Sequence, residues 1–296
     1  MTVMELGHIE AGESQVGRDT GSYDWEITPA LVRTYIDGTG DDNPWYTSDS
    51  PLGGPIAPAL ILHSAPFRSI DWYLPNVYGN LHAREECEFF APVMVGERLR
   101  TRGVIADRYV KRDREYVVNE TLVLNSTGRI VARQRVHQSF LIENGGGLAV
   151  DKNREKAPGR AVTAADRAGD SIEAPMRTVT EMMCMAFSGP GINYHTNRAA
   201  ARDWGFPDIV VQGMLSVCLI GEIMTRRFGL GFFSGGRIDV KLVNVLWCGD
   251  SIGPRGRIVE DRPEGKLTRA VVDVWCEKAD GTRTIVGAAS ALEAGA

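Results

Sequence analysis

Residues 187–216 read FSGPGINYHTNRAAARDWGFPDIVVQGMLS: one histidine, His195, behind a glycine-rich turn, then helix formers, then Gln212-Gly213-Met214. Histidine is the side chain best placed to move protons near neutral pH, and in general acid–base work it commonly acts beside a carboxylate. The sequence therefore poses a definite question: which acid works with His195. An upstream stretch of similar build, Thr39-Gly40-Asp41-Asp42-Asn43-Pro44-Trp45-Tyr46, offers two aspartates but no histidine.

The rest of the chain bounds the chemistry. Its 296 residues are 43% hydrophobic and 24% charged, with a formal charge of −5. That is globular composition for one large domain or two smaller ones. The acidic balance argues against a nucleic-acid groove, which needs a clustered Lys/Arg surplus. No apolar run is long enough to span a membrane, and the opening residues show neither the basic nor the apolar region of a secretory signal. Cys87, Cys184, Cys218, Cys248 and Cys276 are odd in number and show no CxxC spacing. They read as reduced thiols of a cytoplasmic protein, with no metal site. No phosphate-binding glycine loop appears.

The chain says roughly the same thing twice. Gly189 answers Gly40 and His195 answers Tyr46, both 149 positions apart. Gln212 answers Pro58. Downstream, EFFAPVMVGERLRTRGVI pairs with VKLVNVLWCGDSIGPRGRI, placing Gly249-Asp250 153 positions after Gly96-Glu97, and Gly281 follows Gly128 by the same 153. A near-constant offset marks a tandem repeat. Each copy runs from an irregular Gly/Asn/Pro segment into an apolar helix, APALILHSAPFRSI or QGMLSVCLIGEIMTRRF. Strand-like runs follow, such as REYVVNETLVLNS and TRAVVDVWCEK, joined by turns at Ser126-Thr127-Gly128 and Ala279-Asp280-Gly281. A helix apolar all round is buried, and a sheet wrapping it makes an α+β layering. The expected domains are 1–142 and 176–296, with a Gly-, Ala- and charge-rich linker over 143–175.

These motifs resemble the MaoC-like family of acyl-thioester hydratases and dehydratases, in its double-hotdog form. Copy one contributes Thr39 to Tyr46, then GGPIAPAL and APVMVGE. Copy two contributes Ser188-Gly189-Pro190-Gly191-Ile192-Asn193-Tyr194-His195, then VVQGML and NVLWCGD. The resemblance implies two tandem hotdogs, each an antiparallel sheet around a central helix. It also implies an aspartate and a histidine, five positions apart, that hold a water and deliver it to C3 of a trans-2-enoyl thioester with a proton at C2, or run the reverse dehydration. The thioester carbonyl would be polarised by amides opening the central helix. Copy two keeps the histidine, His195, but has Pro190 at the aspartate position. Copy one keeps Asp41 but has Tyr46 at the histidine position.

The resemblance thus makes His195, Asp41 and Tyr46 the candidate catalytic residues, and Asn193, Gln212, Gly213 and Met214 the substrate contacts. Plainer readings stand beside these: Asp41 as a turn or cap residue, Tyr46 as packing, Gln212 and Gly213 as an ordinary helix start. His63 reads as a satisfied core histidine inside the copy-one helix. Arg68, Arg226 and Arg227 are candidates for a CoA phosphate. Asp41 and His195 are expected in different grooves, with copy one widening an acyl tunnel. No cofactor is implied, because hydrating an activated double bond needs neither redox centre nor metal. The expected partners are a CoA- or carrier-bound acyl thioester and a homodimer mate or second hotdog subunit. Alternatives are altered thioester chemistry, or a non-catalytic, partner-dependent subunit.

Overall fold

The computed structural model describes residues 15–68, 80–111, 114–141 and 171–293. In the first repeat, strand β1 (Asp19–Glu26) leads into helix α1 (Pro29–Thr39), a single 3-10 turn at Pro44–Tyr46, and short helix α2 (Ala65–Arg68). Strands β2 (Leu81–Phe89), β3 (Arg98–Lys111), β4 (Arg114–Asn125) and β5 (Ile130–Leu141) follow. The second repeat opens with β6 (Ser171–Glu173), β7 (Arg177–Thr178), α3 (Glu181–Ser188) and α4 (Arg198–Asp203). It continues with α5 (Gly213–Phe228), α6 (Leu230–Phe233), β8 (Arg237–Leu242), β9 (Ser251–Glu264), β10 (Leu267–Lys278) and β11 (Arg283–Glu293).

The repeat is visible in the strands themselves, since β9, β10 and β11 begin 153 positions after β3, β4 and β5 (251, 267 and 283 against 98, 114 and 130). Hydrogen bonding joins one antiparallel sheet in the order β1-β3-β4-β5-β2-β8-β11-β10-β9-β6, with β7 also on β9. The order mirrors itself about the β2–β8 seam, where Cys87 faces Ile238 and Arg84 faces Lys241. Pairing the two halves edge to edge removes the unpaired backbone that each would otherwise expose. The hairpin turns at Gly128 and Gly281 have φ of +80° and +83°, which glycine adopts without a Cβ clash.

Helix α5 is the axis of the core. Met214 through Thr225 are buried without a break, and the helix packs against β9, β10 and β11. Leu215, Leu219 and Ile220 are fully enclosed, and each contributes about 1.5–3 kcal/mol of hydrophobic stabilisation. Across the pseudo-dyad, α1 lies on α3, with Gly38 so close that a Cβ would stand 3.0 Å from the Phe187 backbone.

Two expectations are corrected here. The copy-one helix is not continuous: residues 59–64 form successive tight turns, with Ile61 N–H donating to Pro58 C=O, His63 to Leu60 and Ala65 to Leu62. Only Ala65–Arg68 is α-helical before residue 68. Proline fits a helix only in its first turn, so Pro66 forbids a helix running through it from Ala59. The second correction concerns the linker, most of which lies outside the described residues. Its last part is not linker, because Ser171–Glu173 already pairs with Arg257–Arg255 of β9.

Candidate active site

His195 is placed by a turn whose polar atoms lock onto one another. The Asn193 carboxamide oxygen accepts the His195 amide at 2.7 Å, and the Thr196 hydroxyl accepts the Asn193 amide at 3.0 Å. The ring then reaches the strand-like segment ahead of α5: Nδ1 lies 2.6 Å from the Val210 carbonyl oxygen. A carbonyl only accepts, so Nδ1 carries the proton and Nε2 keeps a lone pair. Nothing among the described residues hydrogen-bonds Nε2. Burial pushes the ring down to about 4, with the Val210 carbonyl pulling weakly the other way. His195 is therefore a neutral imidazole at pH 7, with its basic nitrogen unused.

Three residues after Val210, α5 begins. The first four amides of a helix have no partner within it, and Gln212 supplies no side-chain cap. Instead, Gln212 Oε1 is buried with no partner. A Cβ on Gly213 would meet Leu242 Cδ2 at 2.2 Å, so the Leu242 side chain would have to shift to admit one. The Leu215 N–H is taken up by the Gln212 carbonyl at 2.9 Å. The start of a long buried helix thus offers the Gly213 and Met214 N–H groups and the positive end of its dipole, three residues after the carbonyl that holds the His195 ring. Such an arrangement can hold a water and stabilise negative charge on an acyl oxygen.

The copy-one counterpart is built differently. The Tyr46 hydroxyl donates to Asp41 Oδ2 at 2.9 Å, reproducing the i, i+5 pairing with a phenol in place of an imidazole. Both residues are almost wholly buried, and Asp41 Oδ1 has no partner. Burial, aided by the nearby Glu222 carboxylate, raises the Asp41 carboxyl to about 6 against the pull of Tyr46 and Arg226. The pair leans on the far half of α5, next to Thr225 and Glu222. Glu222 comes nine residues after Gly213, about 13 Å along the helix axis. Asp41 and His195 thus attach to opposite ends of α5, and the structure does not bring them together.

Other predicted residues have more modest places. Asn193 spends its carboxamide oxygen on the turn, and the Met214 side chain is fully buried in the core rather than facing a substrate. His63 stacks on Phe187 at 4.0 Å, as a core ring should, but its Nδ1 is buried without a partner and burial lowers the ring to about 3. Arg226 pairs with Glu222 and Asp42, and Arg227 with Glu293; neither is an unpaired cation awaiting a phosphate. Arg68 lies over the rings of Tyr23 and Trp25. Beside residues 57–62 an apolar pocket is lined by Leu60, Leu62, Phe89, Val93, Val123 and Phe233. It opens where copy one lacks a continuous helix.

Two charged clusters escaped sequence reasoning. Glu222, fully buried, accepts two hydrogen bonds from Arg177 Nη2, whose Nη1 also donates to the Thr39 carbonyl at 2.7 Å. A glutamate inside the apolar run LIGEIM was its only signal. His82 and Glu85 of β2 form the second, with Nε2 3.0 Å from Oε2. Among the described residues no group of three or more His, Cys, Asp or Glu is arranged to hold a metal, and no helix is long and apolar enough to cross a membrane.

Comparison with known proteins agrees with this architecture. Residues 14–134 match the family model described as FAS1-like, dehydratase domain region. No curated protein sequence matches significantly. Among solved structures, one named MaoC-like dehydratase superposes with a TM-score of 0.71 at 17% identity, covering 96% of this chain and 99% of that one. A MaoC-like dehydratase from Phytophthora capsici gives 0.69 at 17%, covering 97% and 100%. A Mycobacterium tuberculosis protein described as having a double hotdog fold gives 0.62 at 14%, covering 94% and 96%. Mirrored sheet halves and a buried central helix give the chain a double-hotdog fold, similar to solved structures named MaoC-like dehydratase, and residues 14–134 match a dehydratase-domain model.

Proposed function

We propose that this protein hydrates a trans-2-enoyl thioester, carried on CoA or an acyl carrier, or dehydrates the corresponding 3-hydroxyacyl thioester, in the groove at the start of α5. The observation that carries the reading is the His195 ring, fixed through Nδ1 to Val210, three residues ahead of the uncapped start of α5, with no hydrogen-bond partner on Nε2 among the described residues. In the hydration direction, Nε2 accepts one O–H of a water and holds its oxygen toward C3. As that oxygen adds, the electron pair of the double bond shifts to the thioester oxygen, where the α5 amides stabilise it. Collapse of this enolate places at C2 the proton that the water gave up as it added, so one water supplies both the new hydroxyl and the new hydrogen. The first repeat's pocket is lined by apolar side chains of the kind an acyl chain packs against.

The test is turnover of crotonyl-CoA and longer trans-2-enoyl-CoAs by the purified chain, followed by loss of enoyl absorbance. No turnover across the panel overturns the reading. In Pro190→Asp, which restores a carboxylate at the family position, the rate should rise, by up to the ~10²–10⁴ that a positioned acid or base gives.

Pro190 also favours a second reading, a hotdog subunit that needs a partner. Its other acid, Asp41, is occupied by Tyr46. Recovery of a second hotdog chain in a native pull-down, with turnover only in the complex, would select this reading.

A further inference from the structure

His195 alone is a poor store for a proton, because no carboxylate stands behind its ring to stabilise the imidazolium. Two histidines of the other repeat do have one, His137 with Glu86 and His82 with Glu85, and of the two it is His82 whose ring lies against the start of α5. His82 opens β2, and its Nε2 lies 3.0 Å from Glu85 Oε2. Glu85 is fully buried and also receives the Gln134 amide, Nε2 to Oε1 at 3.2 Å. Residues three apart on a strand normally face opposite ways. Here the register of β2 on β5 shifts between His82 and Arg84, a bulge that turns both side chains to one side. Burial pushes the Glu85 carboxyl up, against the pull of His82, Cys87 and Gln134; in its ionised form it accepts, so that Nε2 carries a proton and Nδ1 is left with the lone pair.

That Nδ1 is buried and has no partner. It lies 3.7 Å from where a Cβ on Gly213 would be, at the end of α5 that His195 occupies. Gln212, the residue before Gly213, holds a second buried acceptor with no donor, its Oε1. Two orphan acceptors at the start of α5, where Gly213 and Met214 open the helix, suit an occupant that carries both an O–H and an acceptor oxygen. Leaving such groups unmatched costs about 1–3 kcal/mol each. A 3-hydroxyacyl thioester, or a water beside an enoyl thioester, has that combination.

Building on the hydration reading, we propose that His82, positioned by Glu85, is the catalytic acid–base partner of His195, supplied by the first repeat to the groove of the second. In hydration, His82 Nδ1 takes the proton of the water held by His195 as the oxygen bonds to C3. The resulting imidazolium is stabilised by Glu85, and the same proton passes to C2 as the thioester carbonyl re-forms. The water thus supplies both the hydroxyl and the hydrogen, and nothing else is consumed.

The experiment compares wild type, His82→Gln and Glu85→Gln on the best enoyl-CoA, with thermal midpoints measured in parallel. The expected result is a kcat about 10²–10⁴ lower in His82→Gln with KM within a few-fold. Glu85→Gln, which acts only through orientation and charge, should lower kcat at least about tenfold at similar KM. Full kcat in a folded His82→Gln, alongside loss in His195→Ala, overturns this inference while leaving the hydration reading intact. No wild-type turnover overturns the hydration reading. His82 is then judged by ring ¹⁵N signals of histidine-labelled protein, assigned with His82→Gln. A change at Nδ1 on saturation with 3-hydroxybutyryl-CoA supports an occupant there, and no change overturns the inference. If His82→Gln fails to fold, the ring signals are assigned instead with Glu85→Gln, which perturbs the same ring, and the same comparison in wild type decides.

Discussion

The two repeats share their strands almost residue for residue, yet they end in opposite interiors. In the second, α5 runs for sixteen residues through the core and presents an uncapped N-terminus with His195 beside it. In the first, the equivalent segment breaks into turns and a four-residue helix, and an apolar pocket stands next to it. The overhanging turn is preserved in both. In one it carries an imidazole with a free nitrogen; in the other a tyrosine closes onto an aspartate inside the protein. The two halves thus keep the sheet and differ in what fills it: one has an apolar pocket beside a broken segment, the other a long buried helix with an uncapped start.

The sharpest way to break this comparison is to remove each overhang's polar group. His195→Ala should lower kcat on an enoyl thioester by about 10²–10⁴, whereas Tyr46→Phe should leave kcat within about threefold; equal losses would mean the two turns are not divided as described. Next, Arg177→Met strands Glu222 in the core of the second repeat, and removing one partner of a buried pair costs about 3–5 kcal/mol. Chemical denaturation should read most of that loss, moderated by the Arg226 contact that remains.

Asp41 gives a pH signature specific to the first repeat. Its folded pKa of about 6 lies above the ordinary 3.8, so the folded state binds its proton more tightly than the unfolded state. The resulting stabilisation is complete below pH 3.8 and disappears as pH rises through 6. By linkage this amounts to about 3 kcal/mol. His195 and His63 act oppositely: with folded pKa values of about 4 and 3, they disfavour folding as pH falls below 6.5. Asp41→Asn should therefore gain stability relative to wild type between pH 4 and pH 7, measured by urea unfolding; a constant difference across that range would remove the buried-carboxylate account. The smallest effect belongs to the surface. Arg227→Ala breaks a half-exposed pair with Glu293 and should change stability by less than about 1 kcal/mol, with KM for a CoA ester unchanged within twofold.

Much of the architecture was legible before any coordinates. Strand starts at 98, 114 and 130 reappear at 251, 267 and 283, in step with the Gly96–Gly249 and Gly128–Gly281 spacing. The apolar run after Gln212 became α5. The copy-one helix was misread because its apolar composition suits a buried helix or packed turns alike, and Pro66 was the residue to weigh. At the site, the separation of Asp41 from His195 followed from their equivalent registers. The His82–Glu85 pair did not, because a strand of regular alternation would have parted them.

Sequence by itself fixed the local matters: turns that need glycine, a helix apolar enough to be buried, and strands spaced by one repeat length. Each depends on residues near one another along the chain. Tertiary structure alone decided which charges meet. Arg177 reaches Glu222, Tyr46 closes on Asp41 against the far end of α5, and a bulge in β2 turns a histidine and a buried glutamate toward a helix in the other repeat. Electrostatic and hydrogen-bond partners act across a few ångströms of space, and distance along the chain says little about which groups will share them.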